Sequence, residues 1–202
     1  MNTLDRTHNI IFIGQTGFGK SSLINALFGS HFNTDPLVSC TKELYSVTTI
    51  QKDSEGEFFV TVYDTPGIGE FSNNSVYQNY YNFAVSNADH IVLVVTLDRT
   101  DSTSQDLLSS IKPFLKNSKV KFTIALNRID SNGVKNEQNY KSWDNDTNKP
   151  TDECLTKVNK RLETIKDNYG EDSDFVFLPF EIIPVSAIHN YGLQELKKRI
   201  LK

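Results

Sequence analysis

The segment Gly14-Gln15-Thr16-Gly17-Phe18-Gly19-Lys20-Ser21 matches the pattern G-x-x-x-x-G-K-[ST]. Glycines at these positions let successive backbone N–H groups converge on phosphate oxygens, and a helix starting at the lysine adds the positive end of its dipole. Lys20 has the reach to meet terminal phosphates, and Ser21 can offer its hydroxyl to Mg²⁺, with Ser22 beside it at the helix start. The pattern gains weight from its setting. The apolar run Ile10-Ile11-Phe12-Ile13 precedes it, and Ser22-Leu23-Ile24-Asn25-Ala26-Leu27-Phe28 follows with helical character. A glycine-rich turn arising by chance needs neither neighbour.

Three further segments could complete such a site. Asp64-Thr65-Pro66-Gly67 closes the apolar run Phe58–Tyr63. Read alone it is a turn; beside a phosphate loop, Asp64 can hold Mg²⁺ through water and the Gly67 N–H can meet a γ-phosphate. Asn127-Arg128-Ile129-Asp130 follows Phe122–Leu126, and Ser186-Ala187 follows a strand containing Ile182 and Ile183. Singly, the former reads equally well as an ordinary capped turn and the latter carries almost no signal. All of them fall in order, each at a strand end.

This ordered set resembles that of the translation-factor-related P-loop GTPases, from Asn9 to Leu201. The resemblance implies that Asp130 accepts from the guanine N1–H and exocyclic amine and that Asn127 braces the loop. It also implies that the Arg128 stem packs on the base and that the Ser186-Ala187 pair donates a backbone N–H to the guanine O6. The family pattern is N-K-x-D, and Arg128 replaces its lysine; a planar guanidinium on a long stem can still lie over a purine. The resemblance further implies a threonine that closes over Mg²⁺ and the γ-phosphate. Thr41 stands where that residue belongs, with Thr34 as competitor. The implied metal ligands are thus Ser21, Thr41 and Asp64. The run from Gly14 to Gly29 is most similar to the Era and septin side of the superfamily. Trp143-Asp144, Pro150-Thr151 and the compact ending after Ala187 are similar to bacterial Era-like GTPases of the YfjP/YeeP type.

A catalytic residue is not evident. Ras-type relatives orient the attacking water with a glutamine just after the D-x-x-G motif. Ile68 stands there, and an apolar side chain can neither position nor deprotonate water. Gly17 occupies the place where potassium-activated relatives carry asparagine, which disfavours that route. Glu70 is close in sequence, but a glutamate after a glycine is ordinarily solvated. The expectation is slow GTP hydrolysis, assisted by a second protomer across the nucleotide or by an activating protein.

The elements that must hold these residues alternate between β-like and helix-like, which predicts a three-layer α/β sandwich around a mostly parallel six-stranded sheet. Strands are expected at Asn9–Ile13, Leu44–Lys52, Phe58–Tyr63, His90–Leu97, Lys121–Leu126 and Glu181–Val185. Helices are expected at Lys20–Phe28, Val76–Ser86, Ser104–Lys116, Asp152–Asn168 and Leu193–Leu201. Asp53-Ser54-Glu55-Gly56-Glu57 is too short for a parallel crossover, so the second and third strands form a hairpin and one strand runs antiparallel. In the middle helices Leu107, Leu108, Ile111 and Leu115, and Leu155, Val158, Leu162 and Ile165, recur at helical spacing and read as core faces. The polar stretch Ser131–Pro150 reads as an irregular surface insertion. Switch loops are expected near His31–Lys42 and Thr65–Ser75.

The 202 residues fit one domain, 1–202, with 38% hydrophobic and 23% charged residues. A net charge of −4 argues against free-standing nucleic-acid binding. Cys40 and Cys154 show no paired or metal-binding spacing, which suits reduced thiols in a cytoplasmic protein. Met1–His8 has no signal-peptide pattern, and no apolar run reaches the roughly 20 residues of a membrane span. Two rival readings accompany the switch: septin-like assembly driven by GTP, and Era-like association with ribosomes or RNA.

Overall fold

The structure, a computed structural model, describes residues 6–32, 34, 43–67, 79, 82–83, 85–97, 109, 120–131, 141–169 and 180–202. Its main sheet is built from β1 (Thr7–Ile13), β2 (Tyr45–Asp53), β3 (Gly56–Asp64), β4 (His90–Thr96), β5 (Lys121–Asn127) and β8 (Phe180–Pro184). A small hairpin, β6 (Trp143–Asp144) and β7 (Lys149–Pro150), stands apart. The helices are α1 (Lys20–Phe28), α2 (Asp152–Tyr169) and α3 (Leu193–Ile200). Residues 79, 82, 83, 85, 86 and 109 are also helical, where Val76–Ser86 and Ser104–Lys116 are expected; the other residues of the second helix lie outside the described ones.

The sheet order is β2-β3-β1-β4-β5-β8. All neighbours are parallel except β2 and β3, which pair antiparallel from Tyr45↔Asp64 to Asp53↔Gly56. That hairpin is tighter than expected, because pairing continues to Gly56 and leaves only Ser54 and Glu55 in the turn. Other strand ends differ from expectation by one or two residues. The fold is thus the mostly parallel α/β sheet with one antiparallel strand.

Inner strands are apolar on both sides because both faces are covered. Along β1, Ile10 and Phe12 pack with Leu23, Ile24 and Leu27 of α1 and Leu196 and Ile200 of α3. Ile11 and Ile13 point the other way, into a cluster with Val158 and Ile165 of α2. The period-two alternation of a strand and the wider apolar stripe of a helix therefore meet on each face. Leu155 departs from its expected core place: it is 37% exposed, whereas Cys154 beside it is buried. The buried face of α2 runs through Cys154, Val158, Ile165 and Tyr169, which is the expected stripe rotated by one residue at its start. Leu162 is partly buried against it.

The stretch Ser131–Pro150 is less irregular than expected, though most of its described residues are exposed. Residues 132–140 lie outside the described residues, but 143–150 form the β6–β7 hairpin, and its Trp143 is only 5% exposed. Trp143 is in ring contact with His189 and Tyr191, so the segment is packed against the body of the domain.

Candidate nucleotide-binding site

The first strand leads into the glycine loop, and Gly14 is required there by space as well as by backbone. Its φ is 146°, and an added Cβ would lie 2.5 Å from the Val94 carbonyl oxygen. Gly17 and Gly19 hold φ of 78° and 82°, conformations an L side chain resists. Phe18 between them is fully buried and anchors the loop in the core. Lys20 is 6% exposed, and its Nζ donates to the carbonyls of Gly14 at 3.1 Å and Gln15 at 3.3 Å. Its ammonium is thereby folded over the loop that the phosphates would occupy.

Asp64 ends β3 beside Phe12 of β1. It is buried and accepts a 2.5 Å hydrogen bond from Ser21 Oγ. Two hard oxygen donors thus converge at the start of α1, a donor set that fits Mg²⁺ completed by phosphate and water oxygens. The next residue, Thr65, donates its hydroxyl to the Phe12 carbonyl at 2.8 Å and ties the turn to β1. Gly67 then lies on the phosphate loop. A Cβ there would come within 2.3 Å of the Thr16 backbone, so only glycine permits this approach. The Thr16 hydroxyl at the same point is buried and has no hydrogen-bond partner.

On the far side of the loop, Asn127 Nδ2 donates to the Phe18 carbonyl at 3.0 Å. The amide therefore pins the end of β5 to the phosphate loop. Arg128 follows in a left-handed conformation with φ of 59°, and its guanidinium approaches Gly19. Asp130 Oδ1 and Asn127 Oδ1 are buried without hydrogen-bond partners. Such orphans are expensive unless a ligand satisfies them. Ser186 and Ala187 lie beside this loop, because Val185 donates to the Leu126 carbonyl at 2.8 Å and Ile129 to the Val185 carbonyl at 3.4 Å.

The fold therefore gathers Gly14–Ser22, Asp64, Gly67, Asn127, Arg128, Asp130, Ser186 and Ala187 along the carboxyl ends of neighbouring strands. The chain leaves β1 toward β3 on one side and later returns to β4 on the other, a topological switch point where open α/β sheets bind ligands. Thr41, Ile68, Glu70 and Cys40 lie outside the described residues; Thr34 is described and exposed. Thr96 escaped the sequence reading. It ends β4 in register with Asn127, fully buried, with its hydroxyl unpartnered. A polar residue closing an otherwise apolar strand is the signal that could have found it.

Comparison with known proteins agrees with this geometry. The family described as 50S ribosome-binding GTPase matches residues 9–128, more than half of the chain. Septin-12 of Rattus norvegicus is 40% identical over 72 residues, covering 33% of this chain and 20% of that protein. Cell division control protein 10 of Saccharomyces cerevisiae is 38% identical over 76 residues, 33% of this chain and 23% of that protein. GTPase Era of Borreliella afzelii is 24% identical over 191 residues, 93% of this chain and 53% of its own length. The chain thus spans at most about half the length of these curated relatives. The glycine loop, Ser21 with its bonded Asp64, and Asn127 all lie within the matched span, and the chain belongs to the 50S ribosome-binding GTPase family.

Proposed function

We propose that this chain is a single GTPase domain, 1–202, that binds GTP and GDP with Mg²⁺, hydrolyses GTP slowly and changes the shape of its switch loops as it does so. The observation that carries the reading is the buried, unpartnered Asp130 Oδ1, in a loop that Asn127 fastens directly to the phosphate loop. A carboxylate there is matched to the adjacent N–H donors of guanine and mismatched to adenine, which leaves it unsatisfied. In this reading Gly14–Ser22 and Gly67 hold the phosphates, and Asn127, Arg128, Asp130, Ser186 and Ala187 hold the base. Ser21, Asp64 and Thr41 hold the metal. Bound Mg²⁺ would neutralise charge between the β- and γ-phosphates.

Within the superfamily we place the chain on the bacterial Era-like side, near the YfjP/YeeP type, and in the cytoplasm. No helix among the described residues is long and apolar enough to cross a membrane. Catalytic assistance comes from a second copy across the nucleotide or from a separate activator. The rival assembly reading draws on the septins, whose likeness is confined to a third of the chain. The ribosome or RNA reading draws on the family's description and on Era, while the net charge of −4 gives RNA little to hold. Calorimetric titration with Mg²⁺ tests the main reading. GDP and GTP should bind at least a hundredfold more tightly than ADP and ATP, and equal affinities would refute it.

A further inference from the structure

We infer that the β6–β7 hairpin is a clamp that sets the distance between the two base-side loops, and that Ser142, Trp143 and His189 are positioning residues for guanine selectivity. The inference rests on the guanine reading above.

The hairpin touches both loops. On one side Ser142 Oγ donates to the Asp130 carbonyl at 2.5 Å, so the residue preceding β6 holds the backbone of the proposed base-reading aspartate. Behind it, Thr151 N–H donates to the Ser142 carbonyl and Cys154 Sγ donates to the Ile129 carbonyl at 3.1 Å, which fixes the same loop to α2. On the other side the Trp143 ring stacks on His189, with centroids 4.1 Å apart and planes 18° from parallel, and meets Tyr191 edge-on at 5.7 Å. Within that loop Ser186 and Tyr191 exchange two backbone hydrogen bonds, and the His189 N–H donates to Ser186 Oγ. Asn148 closes the hairpin itself, accepting from Trp143 Nε1 at 3.1 Å.

Backbone conformation points the same way. Among the described residues, the non-glycine residues with positive φ are Arg128 at 59°, Asn148 at 51° and Asn190 at 55°. They fall one each in the Asn127–Asp130 loop, the hairpin and the 186–191 loop. Asparagine tolerates such a conformation, whereas at Arg128 it is uncommon and persists where the surroundings over-determine it. Asn148 Nδ2 donates to the His189 carbonyl at 3.5 Å, which links the hairpin turn to the 186–191 loop. Recognition by Asp130 and by the Ala187 N–H demands that both loops keep their spacing to a fraction of an ångström, and the hairpin adds a side-chain bridge beyond the backbone bond from Ile129 to Val185.

The test compares GDP with IDP, which lacks the exocyclic amine that Asp130 would read. In Ser142→Ala and Trp143→Ala, GDP affinity should fall at least tenfold and the GDP:IDP preference at least threefold, with the single-turnover rate at saturation within twofold of wild type. His189→Phe, which retains a stackable ring, should restore what His189→Ala loses. Trp143 is the only tryptophan, so its emission should change when GDP binds the unmodified protein. Variants that melt earlier but keep the wild-type GDP:IDP ratio would overturn the clamp and leave the hairpin a purely structural addition. If Trp143→Ala fails to fold, Ser142→Ala decides alone. A wild-type protein that binds GDP no better than ADP would instead overturn the guanine reading beneath it.

Discussion

At the scale of single residues, polar groups gather in and around the glycine loop, among them the buried, unpartnered Oδ1 atoms of Asn127 and Asp130. Lys20 is buried over the loop and held by two carbonyls, so its charge is oriented before any phosphate arrives. A charge-assisted contact in a desolvated site is worth several kcal/mol when one partner is removed. Lys20→Ala should therefore weaken GTP binding by at least a hundredfold in titration, while far-ultraviolet circular dichroism stays native. Affinity within threefold of wild type would show that the loop does not hold phosphate. These residues were legible in the sequence because the chemistry needs fixed types at fixed spacing. The buried Thr96 was not, since its place beside the loop depends on register with Asn127, and register across a sheet is not written in the local pattern.

At the scale of elements, strands and the first helix were legible because continuous apolar runs bounded by glycine and polar turns leave few alternatives. The β6–β7 hairpin was not. Its strands are two residues each, too short for periodicity to register, and Trp143 is buried by partners at 189 and 191 that lie far along the chain. Leu155 was misplaced because a stripe at helical spacing leaves its first member ambiguous by one residue. An element-scale prediction concerns the start of β4. His90 is wholly buried, bonded through Nε2 to Thr123 Oγ1 at 2.8 Å. Burial pushes its pKa down to about 3, with His8, Arg199 and Lys121 adding to the effect. The unfolded chain thus takes up a proton near pH 6.5 that the folded state refuses until about pH 3. Stability is fully present above pH 6.5 and is lost as pH falls through that window. Between pH 6.5 and 5 the loss from this group should reach about 1.6 kcal/mol, read as a falling urea midpoint. His90→Gln should flatten that slope; a slope unchanged in the variant would mean that other groups carry it.

At the scale of the whole molecule, the sheet order places the described ligand contacts at the carboxyl ends of neighbouring strands, and an apolar layer covers each face of the sheet. In sequence, Ile68 stands where Ras-type proteins carry the glutamine that orients water. The isolated domain should turn over GTP at about 10⁻⁴ to 10⁻³ per second, near the intrinsic Ras rate. If a second copy completes the site, specific activity should climb with protein concentration over a hundredfold range. A flat, slow rate would point to a separate activator, and a flat, fast one would require a catalytic group within this chain.

The most direct test of guanine recognition is an exchange of base preference. Asp130→Asn replaces a pure acceptor with an amide that can donate, which mismatches the guanine amine and suits the extra carbonyl of xanthine. Competitive titration with Mg²⁺ against GTP and xanthosine triphosphate should show the variant losing at least a hundredfold in GTP affinity and preferring the xanthine nucleotide. A variant that binds GTP as the unmodified protein does, and rejects xanthosine triphosphate, would contradict the assignment of Asn127–Asp130 to the base and with it guanine recognition by this loop.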